Sequence, residues 1–287
     1  MQKNNIKFGF FGTSIFSVYV LEELKKNGLV PSLIVSTEDK PSGRNLKITA
    51  TKVKEWAEKE NIKCIQPKTL RTEEVFNEIK NSEDYFDVFI VASYGKLIPK
   101  NILEIPKHGT INVHPSLLPK LRGASPLQSS ILLEDETGVT IIKLDEEMDH
   151  GPIISQEKVD IEWPPYSDAL EKVCGKVGGR LVVKVLQDLM DGKITEMEQE
   201  HEKATFTKKI EKSDAELNMS DSPSVNLRKI RAYNVWPGAF YFENLNGNKK
   251  RIVVKKARIE NGKLVLERVI PEGKKEMDYK DFLRGLK

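Results

Sequence analysis

The chain opens by alternating a buried-strand pattern with a helical one, and this alternation restricts it to a small set of folds. The apolar run "IKFGFFG" is followed by the amphipathic stretch "SVYVLEELKKNG", which ends at Gly28, and "VPSLIVST" supplies the next strand. Such a βαβ unit joins two parallel strands through a crossover helix. The pattern continues through a helix across Thr51 to Glu60, a strand at "DVFIVAS", a short helix near Asn101, a strand from Gly109 to Val113 and a helix after Pro126. Further strands are expected at "GVTIIKLD" and "IISQEKVDI", with a long helix between Ser167 and Met190. Alternation of this kind predicts an α/β fold with a Rossmann-like, mostly parallel sheet. Ligands of open sheets bind outside the carboxyl ends of strands, and both "VASYG" and "NVH" fall at such exits.

The segment "GTINVHPSLLPKLRGASP", residues 109–126, carries the most chemistry. Thr110, Ile111 and Val113 favour a strand, while Pro115, Pro119, Gly123 and Pro126 break regular structure just beyond it. Asn112 and His114 therefore sit at the strand's exit and, two residues apart, project from one face. An amide beside an imidazole can polarise a carbonyl and stabilise its oxyanion, and the imidazole can move a proton to a leaving amine. That pairing suits acyl transfer. Asp149 lies in the Gly-terminated turn "EEMDHGPI" beyond another strand of the same sheet, so its carboxylate can reach His114 and hold the ring oriented and protonated. The structural alternatives are a core histidine and an ordinary turn acid.

Several other chemistries lack their signatures. Gly9 and Gly12 begin a dinucleotide fingerprint that Thr13 to Val18 does not complete, and neither "GxxxxGK" nor "GxSxG" occurs. His108, His114, His150 and His201 show no metal-ligand spacing, so no metal is expected. Cys64 and Cys174 alone make no disulfide framework. With no basic leader ahead of an apolar run and no stretch of about 18 apolar residues, the expectation is a soluble, cytoplasmic protein without a membrane partner. A monomer is the default.

Asp191 and Gly192 stop the long helix, and "ITEMEQEHEKA" carries no apolar stripe. The reading is a first domain over residues 1–192, a linker over 193–204 and a second domain over 205–287. The second begins with a helix at "PSVNLRKIRAY" and continues with short alternating strands separated by "LNGN" and "ENG" turns. Residues 206–287 hold 19 Lys and Arg against 11 Asp and Glu, whereas the rest of the chain is acidic. This segregation suits a polyanion, because cationic side chains displace condensed counterions from phosphates; the alternative is a solvated surface. Phe240 and Tyr241 in the small domain read as core rather than as base-stacking platforms.

These segments resemble the folate-dependent formyltransferases. "GTINVHPSLLPKLRGASPLQ" and "TGVTIIKLDEEMDHGPI" are similar to the family's catalytic core, and the resemblance implies Asn112, His114 and Asp149 as catalytic residues. It also implies that Ser116, Leu117, Leu118 and Pro119 contact tetrahydrofolate, with 10-formyltetrahydrofolate as formyl donor. "DKPSGRNLKITATKVKEWA" resembles the insertion loop of the tRNA-dependent branch, which implies that Arg44 engages the acceptor end of tRNA. The segments "ATFTKKIEKSDAELNMSDSPSVNLRKIRAYNVWPGAFYF" and "PEGKKEMDYKDFLRG" resemble that branch's OB-like C-terminal domain. The implied acceptor is methionyl initiator tRNA, with formylation of a nucleotide-linked amino sugar and noncatalytic nucleic-acid binding as alternatives. His150 stands where the family commonly has Thr, and the chain between Ile259 and Val269 is short for that domain.

Overall fold

The computed structural model describes residues 6–42, 47–245 and 247–285. It divides into two compact units, one of Met1–Gly123, Thr137–Val159 and Lys172–Phe206, the other of Ala124–Glu136, Asp160–Glu171 and Thr207–Lys287. In chain order the first elements are β1 (Phe8–Gly12), α1 (Ile15–Lys26), β2 (Leu33–Val35), β3 (Lys40–Ser42), β4 (Lys47–Thr49), α2 (Lys52–Lys59), β5 (Cys64–Ile65) and α3 (Glu73–Lys80). Next come β6 (Val88–Ala92), α4 (Lys100–Leu103), β7 (Thr110–His114), β8 (Arg122–Gly123), α5 (Pro126–Leu133), β9 (Gly138–Lys143), β10 (Ile153–Lys158) and α6 (Ser167–Met190). The chain ends with β11 (Phe206–Thr207), α7 (Pro223–Ala232), β12 (Phe240–Leu245), β13 (Asn248–Glu260), β14 (Lys263–Pro271), β15 (Met277–Asp278) and α8 (Tyr279–Arg284).

A seven-stranded sheet in the order β10-β9-β7-β6-β1-β2-β5 forms the centre of the first unit. The five strands from β7 to β5 are parallel, whereas β9 runs antiparallel to β7, and β10 to β9. The reversal between β9 and β10 follows from chain length, since residues 144–152 are too few for a parallel crossover, which takes about a dozen or more. Every residue of β1 and β6 is buried, as in strands covered on both faces. Phe11, Leu33, Val35, Phe89 and Ile102 belong to one buried cluster, each side chain contributing about 1.5–3 kcal/mol by leaving water. Thr51 and Thr72 start α2 and α3 by accepting the amides of Lys54 and Val75 on their hydroxyls. A Cβ at Gly178 of α6 would lie 2.4 Å from Val113 Cγ1 and 3.4 Å from Val139 Cγ1, so glycine lets that helix press onto β7 and β9. Among the described residues no helix is long and apolar enough to cross a membrane.

The stretch 193–204, read as a linker, folds with the first unit. Met197 and Ile153 exchange both backbone hydrogen bonds, and Thr205 accepts the amide of Arg122 on its carbonyl and that of Leu121 on its hydroxyl.

In the second unit β12, β13, β14 and β15 form a four-stranded antiparallel sheet in sequence order. Phe240 and Tyr241 are buried there as core residues, while Phe242 is 40% exposed with the Lys249 ammonium 4.2 Å over its ring. Ser222 caps α7, with Pro223 in its first turn. Arg228 of α7 donates to the carbonyls of Ile131 and Glu134 and pairs with Asp135, satisfying the C-terminal end of α5.

Candidate active site

Strand β7 ends at the sheet's carboxyl side with Asn112 paired between Val91 of β6 and Ile142 of β9. The strand alternation sends Asn112 and His114 the same way, and the turn after β9 brings Asp149 to both. Asn112 Nδ2 donates to Asp149 Oδ1 at 3.3 Å, and His114 Nδ1 lies 3.4 Å from the same oxygen. The other oxygen, Oδ2, accepts the Gly123 amide at 2.8 Å. His114 Nε2 lies 3.1 Å from the Leu121 carbonyl. Both imidazole nitrogens thus face oxygen atoms, Asp149 Oδ1 on one side and the Leu121 carbonyl on the other. His114 is 3% and Asp149 9% exposed, whereas Asn112 is half-buried. Asn112 is the one of the three with an amide hydrogen to spare for a ligand, since its Nδ2 carries two.

Burial works against ionising Asp149, but the neighbouring His114, the Gly123 amide and the Arg122 guanidinium outweigh it and hold the carboxyl below its ordinary value. Asp149 also sits at φ +52°, a left-handed conformation that aspartate tolerates better than most side chains. Two residues on, a Cβ at Gly151 would fall 2.0 Å from the Lys143 carbonyl, so only glycine lets the turn close against β9.

The "SLLP" segment is fixed from within. Thr140 donates its hydroxyl hydrogen to the Ser116 carbonyl at 2.6 Å and accepts the Leu118 amide at 3.2 Å, while Ser116 Oγ donates to the Lys120 carbonyl. Leu118 packs with Ile142 and Ile153. Ser116 and Leu118 are buried; Leu117 and Pro119 are half-buried. The side chains of this segment that reach the surface, Leu117 and Pro119, are apolar. Arg44 lies outside the described residues, between β3 and β4, which pair as a hairpin.

Behind the turn lies a polar cluster. Arg122, 4% exposed, donates from Nε and Nη2 to Gln199 Oε1 at 3.2 and 2.7 Å, and from Nη2 to His201 Nδ1 at 2.9 Å. The Gln199 amide nitrogen reaches the carbonyls of Asp149, His150 and Gly151 at 2.9, 3.0 and 2.7 Å. His150 binds Asp145 through Nδ1 at 2.7 Å and stacks on His201 with centroids 4.2 Å apart. His150 thus turns away from Asp149. Arg122 lies within the "GTINVHPSLLPKLRGASPLQ" segment but was not singled out there, and Gln199 carries no motif; its signal is that an ordered polar stretch without an apolar stripe has to be held by its side chains. Among the described residues no cluster of three or more His, Cys, Asp and Glu could hold a metal ion.

A mostly parallel α/β sheet with an amide, an imidazole and a carboxylate converging beyond the end of an interior strand has the groups that acyl transfer calls for. The formyl transferase family matches residues 5–186 and the formyl transferase C-terminal domain residues 209–263, and the chain belongs to this family. It is 39% identical to the methionyl-tRNA formyltransferase of Thermotoga neapolitana over 85% of this chain and 77% of that one. It is 36% identical to the methionyl-tRNA formyltransferase of Thermus thermophilus over 98% of this chain and 96% of that one. Among solved structures its fold is shared by the methionyl-tRNA formyltransferase of Clostridium thermocellum, at a TM-score of 0.64 and 18% identity, covering 93% of this chain and 98% of that one.

Proposed function

We propose that this protein transfers a formyl group from 10-formyltetrahydrofolate to the α-amino group of methionine carried on initiator tRNA. The observation that carries the reading is the match to methionyl-tRNA formyltransferases, which runs through the Asn112, His114 and Asp149 cluster and on through the basic C-terminal segment. The acceptor amine is itself the nucleophile, so no covalent enzyme intermediate is needed. Asn112 stabilises the negative charge that develops on the formyl oxygen as the amine adds. His114, oriented by Asp149, supports the same charge and, by exchanging its bond to Leu121, relays to the departing amine the proton that the attacking amine gives up, so one proton leaves one nitrogen and reaches the other. Leu117 and Pro119 present carbon to the face of the folate carrier, which the donor set fits: one amide beside an apolar wall.

Residues 205–287, with their excess of cations, are the tRNA-binding module in this reading, and Arg44 engages the acceptor end. Binding of methionyl initiator tRNA is expected to weaken steeply with salt, because each neutralised phosphate releases counterions. Arg44→Ala is expected to weaken binding and to reduce the log–log salt slope by about one. Fluorescence titration at several salt concentrations checks both; salt-insensitive binding, or an Arg44→Ala variant with unchanged affinity and slope, would count against the tRNA assignment. The amino-sugar alternative shares the transfer chemistry, but it leaves the basic module without a polyanion to meet.

A further inference from the structure

Asp149 sits in a turn with a left-handed backbone, so no regular secondary structure fixes its aim. One side chain, that of Gln199, grips its main chain at three successive carbonyls. The carbonyls of Asp149, His150 and Gly151 converge on Gln199 Nε2, whose two hydrogens they share, and Oε1 of the same amide receives two hydrogen bonds from Arg122. The amide's orientation is dictated chemically: guanidinium only donates and carbonyls only accept, so a flipped amide would lose every bond. Gln199 is 4% exposed and hangs from a strap anchored at both ends, by Met197 to Ile153 and by Thr205 to Leu121 and Arg122. Leu121 is in turn the carbonyl partner of His114 Nε2. The strap over residues 197–205 therefore holds what lies at both nitrogens of the imidazole.

We infer that Gln199 is a positioning residue for formyl transfer: it grips the main chain of the 149–151 turn, with buried Arg122 as its anchor, and so sets where the Asp149 carboxylate points at His114 and Asn112. The inference rests on the reading of those three residues as the formyl-transfer site. Gln199 touches no reacting atom, and a role as packing around Arg122 alone is separable from it by chemistry. Gln199→Glu keeps an acceptor for Arg122 but removes the donor to the turn and sets carboxylate oxygen against carbonyl oxygen. Gln199→Met keeps the shape and removes both functions.

The test is steady-state formyl transfer from 10-formyltetrahydrofolate to methionyl initiator tRNA, together with hydrogen exchange of the Gly123 amide, which reports directly on the Asp149 carboxylate it donates to. A displacement of about 1 Å can cost on the order of a hundredfold in rate, so both variants are expected to lose roughly ten- to a hundredfold in kcat. KM is to stay within about twofold, because uniform binding is untouched. Gly123 exchange is to quicken in both. Wild-type kcat or unchanged Gly123 exchange in Gln199→Glu would overturn the inference, showing that a partner for Arg122 is enough. Failure of both variants to fold would do the same, by assigning Gln199 to the core. If the wild-type protein formylates nothing, the proposed function fails, and Gly123 exchange in the two variants still decides whether Gln199 places Asp149.

Discussion

Asn112→Ala is expected to lower kcat for formyl transfer by on the order of a hundredfold or more, the usual cost of removing one preorganised donor from a developing oxyanion. The side chain is half-buried at the exit of β7, and the backbone that holds it is paired with Val91 and Ile142 whatever the side chain. Truncation therefore removes an amide without removing a strand. The interaction is made with charge that exists only during transfer, so the loss falls on kcat, with KM for both substrates little changed. Stopped-flow or steady-state kinetics on a variant with wild-type circular dichroism measures this. An unaltered kcat would remove Asn112 from the mechanism.

The second large effect is expected at Asp149→Asn. Asparagine accepts the left-handed backbone at this position at least as readily as aspartate, so the turn persists. The chemistry does not. If the new carbonyl oxygen keeps the Gly123 amide, the new NH2 group faces Nδ1 of His114 and Nδ2 of Asn112, both donors in the native arrangement. His114 then loses the carboxylate that holds its ring in orientation and tautomer, for which a loss of about a thousandfold or more in kcat is expected. A pH signature accompanies it. The Asp149 carboxyl lies below its ordinary value in the folded protein, so its contribution to stability is complete above the unfolded value of about 3.9 and is lost as pH falls through the lower, folded one. Denaturation followed below about pH 4 is expected to show a smaller acid-induced loss in Asp149→Asn than in the wild type. Identical acid profiles would mean that the carboxylate gains nothing from its neighbours.

Most of the parallel half of the sheet was legible because β1, β2 and β6 lie in apolar runs that alternate with helical stretches. The helix from Ser167 to Met190 runs between the residues where its pattern starts and stops. Asn112 and His114 were legible as a pair because a strand's two-residue repeat puts them on one face, and Asp149 because a glycine-ended turn follows the strand that pairs with theirs. The antiparallel turn-back of β10 depends instead on a short connection, and periodicity is blind to it. β5, with two residues, and β15 with α8 near the C-terminus are too short for any period to register. The Arg122 and Gln199 cluster was hidden for a different reason. Its members lie 77 residues apart and act through side-chain hydrogen bonds, so a polar stretch that reads as linker becomes the strap behind the site. Arg44 falls in the segment 43–46, outside the described residues, and its proposed role stands on the resemblance of the loop.

The most direct measurement is an acceptor competition, in which the purified protein and 10-formyltetrahydrofolate are offered methionyl initiator tRNA together with a panel of nucleotide-linked amino sugars, and the products are identified by mass. The account expects formyl-methionyl-tRNA, at a rate that collapses in Asn112→Ala. A formylated sugar in its place would keep the transfer chemistry and contradict the acceptor, and tRNA binding without any formylated product would contradict the assignment of Asn112, His114 and Asp149 as a working site.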